Sequence, residues 1–245
     1  MARSGVYPDA PKPPCVIGYD VAGEVDAVGE GVGAHAVGDR VLAGTRFGGY
    51  AEQVTVGESQ ALPLPDEFSF EQGAALPLQG LTAYGVVHVA ADIRPGQTVL
   101  LHAAGGGLGL IALQLARNAG ARVLGTVSTE QKAEAVRSLG GEPLLYGDDL
   151  LDRVLARTQG QGVDVVLDSV GRATQELSLS ALAHYGHLVC YGDASGSPLP
   201  IDIDRLYERS LKVSAFGLRV EIRPETWRAA RQDLLRQVEE GRLRL

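Results

Sequence analysis

Four glycines that fall within five consecutive positions are the feature of this sequence whose chemistry is easiest to define. The segment Thr98–Leu113 reads TVLLHAAGGGLGLIAL, so that one apolar run leads into the glycines and a second apolar run follows them. Glycine permits a tight turn and lets the backbone come close to a ligand. A strand that turns in this way into a helix presents the amide groups of the helix N-terminus to an anion. The segment therefore predicts a loop that binds a pyrophosphate.

The spacing of these glycines can be compared with the fingerprint G-x-G-x-x-G of dinucleotide-binding loops. The matching positions are Ala104, Gly106 and Gly109, so that alanine replaces the first glycine. A structural turn would explain a single glycine. A glycine cluster at the junction of a strand and a helix favours a loop that binds a dinucleotide.

The end of the second strand predicts which dinucleotide is bound. An acid at this position binds the ribose hydroxyls of NAD, whereas the sequence here runs from Gly125 to Ser128 without an acid. Ser128 and Lys132 could bind the additional 2′-phosphate of NADP through a hydrogen bond and a positive charge. We therefore expect NADPH to be preferred to NADH. Two alternatives stay open, because Glu130 lies close to the offset expected for the acid and Lys132 could be an ordinary exposed helix residue.

Strands and helices alternate from Pro95 onward, which is the pattern of a parallel sheet with helices on both faces. The predicted strands are Gln97–His102, Arg122–Val127, Pro143–Tyr146, Val163–Leu167, His187–Tyr191 and Lys212–Phe216. The predicted helices are Leu110–Asn118, Glu130–Leu139, Asp149–Arg157, Ala173–Ala183 and Glu225–Glu239. This order predicts an α/β fold, a Rossmann-type six-stranded doubly wound parallel sheet. Ser128 and Gln131 predict a capping box at the start of the second helix.

The chain before this region is rich in glycine and proline and carries short β-branched runs. Such runs predict the strands of a small β-rich domain. The predicted strands are Gly23–Gly29, Asp39–Leu42 and Gly49–Val56. A helix is predicted for Phe68–Ala90, broken around Pro77 and Gly80.

Composition excludes several classes of function. The 245 residues carry a net charge of −8, which argues against binding to a nucleic-acid backbone. No apolar run is long enough to cross a membrane, and the N-terminus has no signal-peptide pattern. Cys15 and Cys190 are too few for a disulfide framework or a thiolate metal site. We expect a cytoplasmic protein.

Motifs along nearly the whole chain resemble the medium-chain dehydrogenase/reductase superfamily, and within it the zinc-independent quinone oxidoreductase branch. Besides the glycine loop, the similar segments are Arg3–Pro8, Val28–Val32, Val37–Val41, Ala74–Tyr84, Gly162–Gly171 and Tyr191–Gly196. The resemblance implies a partial GroES-like catalytic domain at 1–85, a dinucleotide-binding domain at 86–241 and a return to the catalytic domain at 242–245. Members of the family have further segments at both ends, and we expect a truncated form, a misplaced start or a degenerate relative.

The resemblance also implies which residues hold the cofactor. Thr82 would contact the nicotinamide end, and the pyrophosphate would lie against Gly106, Gly107, Leu108 and Gly109. The adenosine phosphate end would be held by Ser128, Lys132 and Tyr146, although Tyr146 could equally be a core tyrosine. The nicotinamide side would be lined by Ser169, Val170, Gly192, Ala194 and Ser195. Ser169 and Ser195 follow the C-terminal ends of strands, where open α/β sheets bind ligands.

No metal is predicted. Zinc-dependent relatives have Gly-His-Glu where this chain reads Gly18-Tyr19-Asp20, so that the histidine ligand is missing. The five histidines show no paired metal-ligand spacing. We expect His102, which ends a strand beside the glycine loop, to be structural and not catalytic.

The predicted reaction is a zinc-free, NADPH-dependent reduction of a quinone or of the C=C bond of an α,β-unsaturated carbonyl. Such substrates accept hydride without a Lewis acid if a donor stabilises the developing enolate. We assign no catalytic residue, since the candidate phenols are more simply packing residues; they are Tyr7, Tyr19, Tyr50 and Tyr84.

Two alternatives and one assembly stay open. The chain could retain the dinucleotide site without turnover, or it could be an enoyl-thioester reductase of polyketide or fatty-acid assembly. Basic residues for the thioester arm would be Arg46, Arg219 and Arg223. The last strand, Lys212–Gly217, would be bare at the sheet edge, and the resemblance implies a homodimer through it.

Overall fold

A computed structural model describes residues 11–218 and 224–245 of the chain. The chain forms two compact units, of which the first ends at Gly80 and the second spans Leu81–Arg244. The domain boundary expected from the sequence lies a few residues later, after residue 85. The segment Arg3–Pro8 with Tyr7, and the residues Arg219 and Arg223, lie outside the described residues.

The first unit contains a three-stranded antiparallel sheet in the order β1-β2-β3. The strands are β1 (Asp20–Glu24), β2 (Arg40–Gly44) and β3 (Ala61–Pro63). The first two overlap the strands predicted at Gly23–Gly29 and Asp39–Leu42, while a single 3-10 turn at Glu58–Gln60 leads into β3.

The strand predicted at Gly49–Val56 is wrong. Phe47 and Gly48 have φ angles of 133° and 90°, so that the chain turns sharply just before this segment. The amide of Tyr50 then donates to the carbonyl of Ile17 at 2.8 Å, and the next residues form bends without a ladder. Ala61–Pro63 takes the position beside β2 instead. The β-branched composition of Gly49–Val56 made that segment resemble a strand, but a strand also needs a partner along its length.

Two short helices follow. Helix α1 (Phe70–Ala74) begins after Ser69, whose hydroxyl accepts from the Gln72 amide at 3.2 Å. Helix α2 (Pro77–Tyr84) begins at Pro77 as expected, since proline is favoured in a first helical turn, and it continues as a π-helical turn, Gly85–Ala90. The break predicted at Gly80 is wrong, because its amide donates to the carbonyl of Leu76 at 2.7 Å within a continuous helix.

The second unit is built on a six-stranded parallel sheet in the order β6-β5-β4-β7-β8-β9. The strands are β4 (Thr98–Leu101), β5 (Arg122–Val127), β6 (Glu142–Leu145), β7 (Val163–Asp168), β8 (Leu182–Cys190) and β9 (Lys212–Ala215). The direction of winding reverses between β4 and β7. In doubly wound sheets the ligand lies at the carboxyl ends of the strands at this reversal. The predicted α/β fold is confirmed.

Helices connect these strands. They are α3 (Gly107–Asn118), α4 (Glu130–Ser138), α5 (Leu150–Arg157), α6 (Gln175–Ala181), α7 (Ile203–Tyr207) and α8 (Pro224–Glu239). All five predicted helices are present, and α7 is additional. The predicted capping box is wrong by one residue, because the cap of α4 is Thr129, whose hydroxyl accepts from the Lys132 amide at 3.3 Å. Helix α6 ends at Ala181 because the chain becomes extended at Leu182, where β8 begins.

The core of the second unit lies on both faces of the central strands. Leu100 of β4, Leu124 of β5, Val166 of β7 and Leu188 of β8 are fully buried. Near-continuous apolar strands are expected where helices cover both faces of a parallel sheet. Within the ranges 11–218 and 224–245, none of the helices has the length and apolar character to cross a membrane.

Candidate dinucleotide-binding site

The glycine loop connects β4 to α3 at the reversal point of the sheet. Ala103 has a φ angle of 52°, a left-handed conformation that costs a residue with a side chain roughly 1–2 kcal/mol. Gly106 is extended and is the cap residue of α3. The first amides of a helix have no partner inside the helix, and no side chain from the described part of the chain caps this one. The loop therefore offers backbone donors at the positive end of a twelve-residue helix.

Each glycine of the fingerprint has its own reason to be glycine. A Cβ at Gly109 would lie 2.4 Å from the carbonyl oxygen of Ala103, which belongs to the backbone and cannot move aside. A Cβ at Gly106 would lie 3.4 Å from the same oxygen, an ordinary contact. The protein alone therefore requires glycine at 109, whereas the absence of a side chain at 106 leaves room for a ligand.

The alanine that replaces the first glycine is accommodated by the neighbouring strand. Ala104 is fully buried. A Cβ at Gly125 of β5 would lie 2.7 Å from the Cβ of Ala104. Glycine at position 125 therefore provides the space that alanine at position 104 occupies, so that the departure from the fingerprint leaves the turn intact.

The end of β5 places two polar side chains beside the glycine loop. Nζ of Lys132 lies 3.4 Å from Oγ of Ser128. A Cβ at Gly105 would lie 2.7 Å from Cβ of Lys132, so that the lysine stem packs against the loop. Glu130, the alternative residue for a ribose, is turned along the helix and forms an ion pair with Arg137 at 2.7 Å. This part of the site thus presents a hydroxyl and an ammonium group.

Tyr146 lies just after β6 and is not a core tyrosine, since 40% of it is exposed. Its hydroxyl oxygen lies 2.8 Å from Oγ1 of Thr126 and accepts the amide of Ala103 at 3.2 Å. Its ring is parallel to that of His102, with 6.3 Å between the ring centres. Tyr146 therefore contacts the glycine loop directly.

The predicted nicotinamide-side residues lie on two loops, after β7 and after β8, that are bonded to each other. The amide of Ala194 donates to the carbonyl of Ser169 at 3.3 Å, and the amide of Ser195 donates to that of Val170 at 2.8 Å. A Cβ at Gly192 would lie 2.8 Å from the Ser169 carbonyl oxygen, which explains glycine there.

Ser195 has an internal role in this pair of loops. Its hydroxyl donates to the carbonyl of Val170 at 2.7 Å and accepts the amide of Ala173 at 2.9 Å. The side chain of Ser195 therefore fixes the shape of the surface, and the neighbouring backbone forms the part that a ligand would meet.

Several residues that support this site escape sequence analysis. Asp168 ends β7, is 2% exposed, and accepts the amides of Val170 at 2.8 Å and Gly171 at 3.1 Å. Burial raises the pKa of the Tyr191 phenol, and a hydrogen bond with Ser169 partly offsets this effect. The only sequence signal for them is their position at strand ends.

The remaining candidates lie elsewhere. Thr82 is half-buried on α2, and its side chain has no hydrogen bond to the other predicted residues among those described. Tyr19 packs on Phe47, with ring centres 4.8 Å apart. Tyr84 packs on His88 at 4.6 Å, and burial raises the pKa of its phenol.

Two further expectations concern exposed side chains and metals. Tyr50 is 70% exposed and Arg46 is also exposed. The residues at 11–218 and 224–245 include no group of three histidine, cysteine or acidic side chains arranged to hold a metal. Asp20, at the position of a zinc-motif glutamate, instead accepts the Leu78 amide at 2.6 Å.

The fold and the loop define a dinucleotide-binding α/β protein. Residues 107–236 match the sequence profile of the family described as zinc-binding dehydrogenase, and residues 1–66 match that of the alcohol dehydrogenase GroES-like domain. A quinone oxidoreductase of Pseudomonas aeruginosa is 40% identical over 99% of this chain and 76% of its own length. The chain belongs to the medium-chain dehydrogenase/reductase superfamily and to its quinone oxidoreductase branch.

Two further similarities refine this assignment. The 2-haloacrylate reductase of a Burkholderia species is 39% identical over 78% of this chain, and the match covers 59% of the relative. The crystal structure of Escherichia coli quinone oxidoreductase complexed with NADPH superposes with a TM-score of 0.89 and is 38% identical, covering 99% of this chain and 76% of that one. The predicted family and oxidoreductase class are confirmed, and the predicted cofactor agrees with this complex.

Proposed function

We propose that this chain binds NADPH at the glycine loop and serves the reduction of quinones or of the C=C bond of α,β-unsaturated carbonyls, without zinc. The observation that carries the proposal is the pair formed by Ser128 and Lys132, held against the loop at the end of β5. A serine hydroxyl and a lysine ammonium group suit a 2′-phosphate, whereas a ribose-binding acid would repel it. The chain spans 76% and 59% of the two relatives described above, so that activity is proposed for it and not transferred to it.

The described residues would divide the work of binding in three parts. The amides of Gly107, Leu108 and Gly109 would hold the pyrophosphate at the N-terminus of α3. Ser128 and Lys132, together with Tyr146, would hold the adenosine phosphate. NADPH, when bound, supplies the hydride.

The nicotinamide end would be positioned by backbone and not by a charged side chain. The loops at Ser169–Val170 and Gly192–Ser195 are fixed to each other, and they close the carboxyl ends of β7 and β8. Thr82 would complete this end from α2. A rigid surface of this kind orients a ring and excludes water, which is the contribution that hydride transfer requires of the protein.

The zinc-free character is supported by the donor set at the zinc-motif position. Tyr19 packs on Phe47, and a phenol is a poor zinc ligand beside histidine, cysteine or carboxylate. Burial raises the pKa of Asp20, and its hydrogen bond from the Leu78 amide partly offsets this effect. Because Asp20 already serves as a structural acceptor, we propose substrates that are activated by conjugation and need no metal.

We also propose a homodimer that forms through the last strand of the sheet. Among the described residues β9 pairs on one side only, with β8. An uncovered strand edge favours pairing with another chain. Sedimentation velocity should give the mass of two chains, and Val213→Pro should give one; a monomer in the parent protein would contradict this proposal.

The central experiment is a titration of the full chain with NADPH and with NADH. The oxidation of the bound cofactor is then measured as the loss of its absorbance in the presence of quinones and enones. We expect tighter binding of NADPH and its oxidation by at least one activated acceptor. Binding of NADPH without oxidation would favour the alternative of a nucleotide-binding member without turnover. Failure of the folded protein to bind either cofactor would contradict the proposal. Oxidation only by a pantetheine-linked enoyl thioester would favour the enoyl-thioester reductase.

A further inference from the structure

A chain of hydrogen-bonded side chains runs beneath the candidate site from one end to the other. The Tyr146 hydroxyl lies 2.8 Å from Oγ1 of Thr126, which lies 3.2 Å from Nδ1 of His102. Nε2 of His102 lies 3.1 Å from Oγ of Ser178. That hydroxyl lies 2.8 Å from Oδ2 of Asp168. This series of hydrogen bonds thus joins the predicted adenosine end of the site to the predicted nicotinamide end.

Only one end of this chain reaches solvent. His102, Thr126 and Ser178 are fully buried, and Asp168 is 2% exposed, whereas Tyr146 is 40% exposed. Polar groups buried to this degree must find their partners inside the protein. The protons of the chain can therefore be assigned from the contacts themselves.

The assignment begins at Asp168, whose two oxygens only accept. Oδ1 accepts the amides of Val170 and Gly171, and both oxygens accept the hydroxyl of Thr174, at 2.9 and 2.8 Å. The separation of 2.8 Å between Oγ of Ser178 and Oδ2 requires a proton between them, which must come from the serine. Since a hydroxyl has one proton, Oγ of Ser178 is an acceptor toward His102.

The tautomer of His102 follows. Nε2 must carry a proton, because it lies 3.1 Å from an oxygen that acts as an acceptor toward it, and two lone pairs would otherwise face each other. Burial lowers the pKa of His102, with the charge of Asp168 opposing this effect, so that the ring is neutral at pH 7. A neutral ring has one N–H, and Nδ1 therefore accepts the hydroxyl proton of Thr126.

The same logic fixes the hydroxyl of Tyr146. The hydroxyls of Thr126 and Tyr146 lie 2.8 Å apart and either can donate; because Thr126 gives its proton to His102, we assign the shared proton to the phenol. The phenol oxygen is then an acceptor, and it shares the amide of Ala103 with Oγ1 of Thr126, each at 3.2 Å. Ala103 is the residue held in the left-handed conformation at the start of the glycine loop, so that the chain of hydrogen bonds stabilises a strained position.

We propose that His102, as the neutral Nε2–H tautomer, is a positioning residue that fixes the glycine loop at Ala103 and the nicotinamide-side loop at Val170 in one arrangement. We call the five side chains Tyr146, Thr126, His102, Ser178 and Asp168 the His102 relay. In this assignment each donor of the His102 relay points toward Asp168. The relay rests on the proposed function in one respect, since its purpose is to hold the two ends of one dinucleotide site in register.

The relay predicts behaviour that ordinary core packing does not. Loss of a contact at one end should release the loop at the other end, because His102 must donate on one side in order to accept on the other. The Tyr146 hydroxyl should hold the glycine loop and should not donate to the cofactor phosphate. Tyr146→Phe should therefore weaken the binding of NADPH and the binding of NADH by the same factor, about three- to tenfold.

The first arm of the test needs no cofactor. Nitrogen-15 NMR of the uniformly labelled full chain at pH 7 reports which imidazole nitrogen carries the proton, and His102→Gln identifies the signal. We expect the Nε2–H tautomer. The Nδ1–H tautomer, or a ring protonated on both nitrogens, would overturn the proposal. This arm is decisive even if a substituted protein fails to fold, provided the signal is then assigned by sequential NMR.

The second arm measures coupling between Thr126 and Ser178, which contact opposite nitrogens of the ring. Thr126→Val and Ser178→Ala should each weaken NADPH binding about three- to tenfold. The double variant should weaken it no more than the larger single effect, because either substitution already interrupts the relay. Effects that multiply in full would show two independent packing contacts and would overturn the proposal.

A control variant and the parent protein complete the test. Ser180→Ala changes a serine on the same helix whose hydroxyl contacts Arg205 at 3.0 Å, and we expect NADPH affinity within twofold of the parent. Circular dichroism establishes that each variant is folded. If the parent protein binds no NADPH, the proposed function fails, and the tautomer alone decides whether the relay exists.

Discussion

The ammonium group of Lys132 lies 3.4 Å from the hydroxyl of Ser128, and the stem of this lysine fills the space beside Gly105. The glycine loop and the first turn of α4, which follows β5, are therefore in direct contact. The backbone amides at the start of α3 and the lysine cation are held at a fixed separation, which suits the pyrophosphate and the 2′-phosphate that we propose they bind. This relationship is the basis for the expected preference for NADPH.

Lys132→Ala should weaken NADPH binding about five- to tenfold and leave NADH binding within twofold. A charge-assisted hydrogen bond contributes about 1.5–3 kcal/mol, and the exposure of this lysine reduces the expected loss to about 1–1.4 kcal/mol, just below this range. Fluorescence titration of the reduced cofactors measures both constants. Lys12→Ala removes an exposed lysine that lies outside the proposed dimer edge, and it serves as the control. Equal losses for NADPH and NADH would show that Lys132 only supports the loop.

Gly106→Ala should keep the stability of the protein and abolish cofactor binding. The new Cβ would lie 3.4 Å from the Ala103 carbonyl, and the φ angle of −89° is allowed for alanine, so that only a ligand in close approach would clash. Gly109→Ala should instead lower the melting temperature, because its Cβ would lie 2.4 Å from that carbonyl. Thermal unfolding and NADPH titration separate the two effects. Unchanged NADPH affinity in Gly106→Ala would place the pyrophosphate elsewhere.

The alternating sheet and the glycine loop could be predicted because they depend on local patterns. Strand β5 and helix α4 have the predicted starts, at Arg122 and Glu130, because apolar runs and turn residues mark them. The false strand at Gly49–Val56 had the right composition, but its pairing depends on the distant segment around Ile17.

The support beneath the site could not be predicted for a similar reason. His102 contacts Ser178 across 76 positions of the chain and Thr126 across 24. The sequence suggested a structural His102 from its place at the end of a strand. Only the register of the parallel sheet brings its two partners to opposite sides of the ring.

At neutral pH, Asp20→Asn should have a higher free energy of unfolding than the parent. In acid the difference in free energy of unfolding between the two proteins should be smaller. Burial raises the pKa of Asp20 from 3.8, with the Leu78 amide opposing this effect. The stabilising contribution of its protonated form is fully present below pH 3.8 and is lost as the pH rises through the folded-state pKa. Asparagine keeps the acceptor without the charge. Urea unfolding between pH 4 and pH 8 measures the gap; a gap that narrows with rising pH would contradict this account.

Arg209→Ala should lower the free energy of unfolding by about 2–3 kcal/mol. Its guanidinium group donates to the carbonyls of Leu179 at 2.9 Å and Ser180 at 3.2 Å, and it also contacts that of Leu182, which together satisfy the end of α6. Arg209→Lys should recover part of this loss, since lysine lacks the forked geometry. Arg205, whose side chain is 29% exposed and pairs with the largely exposed Glu176, is the control, and Arg205→Ala should cost about 1 kcal/mol or less. Equal effects at the two arginines would show that α6 needs no such cap.

His102→Gln should flatten the dependence of stability on pH in mild acid. Burial lowers the pKa of His102 in the folded protein below its value of 6.5 in the unfolded chain, although the charge of Asp168 opposes this effect. The unfolded chain therefore binds the proton more readily. The stability associated with the neutral ring is fully present above pH 6.5 and is lost as the pH falls toward the folded-state pKa.

Glutamine has no proton to gain in this range, and it can still donate to Ser178 and accept from Thr126. His88 and His187, whose pKa values burial also lowers, remain in both proteins and cancel in the comparison. Urea unfolding at several pH values from 5 to 8 gives the two slopes. Parallel slopes would mean that His102 titrates as it does in the unfolded chain, which its burial and its two hydrogen bonds argue against.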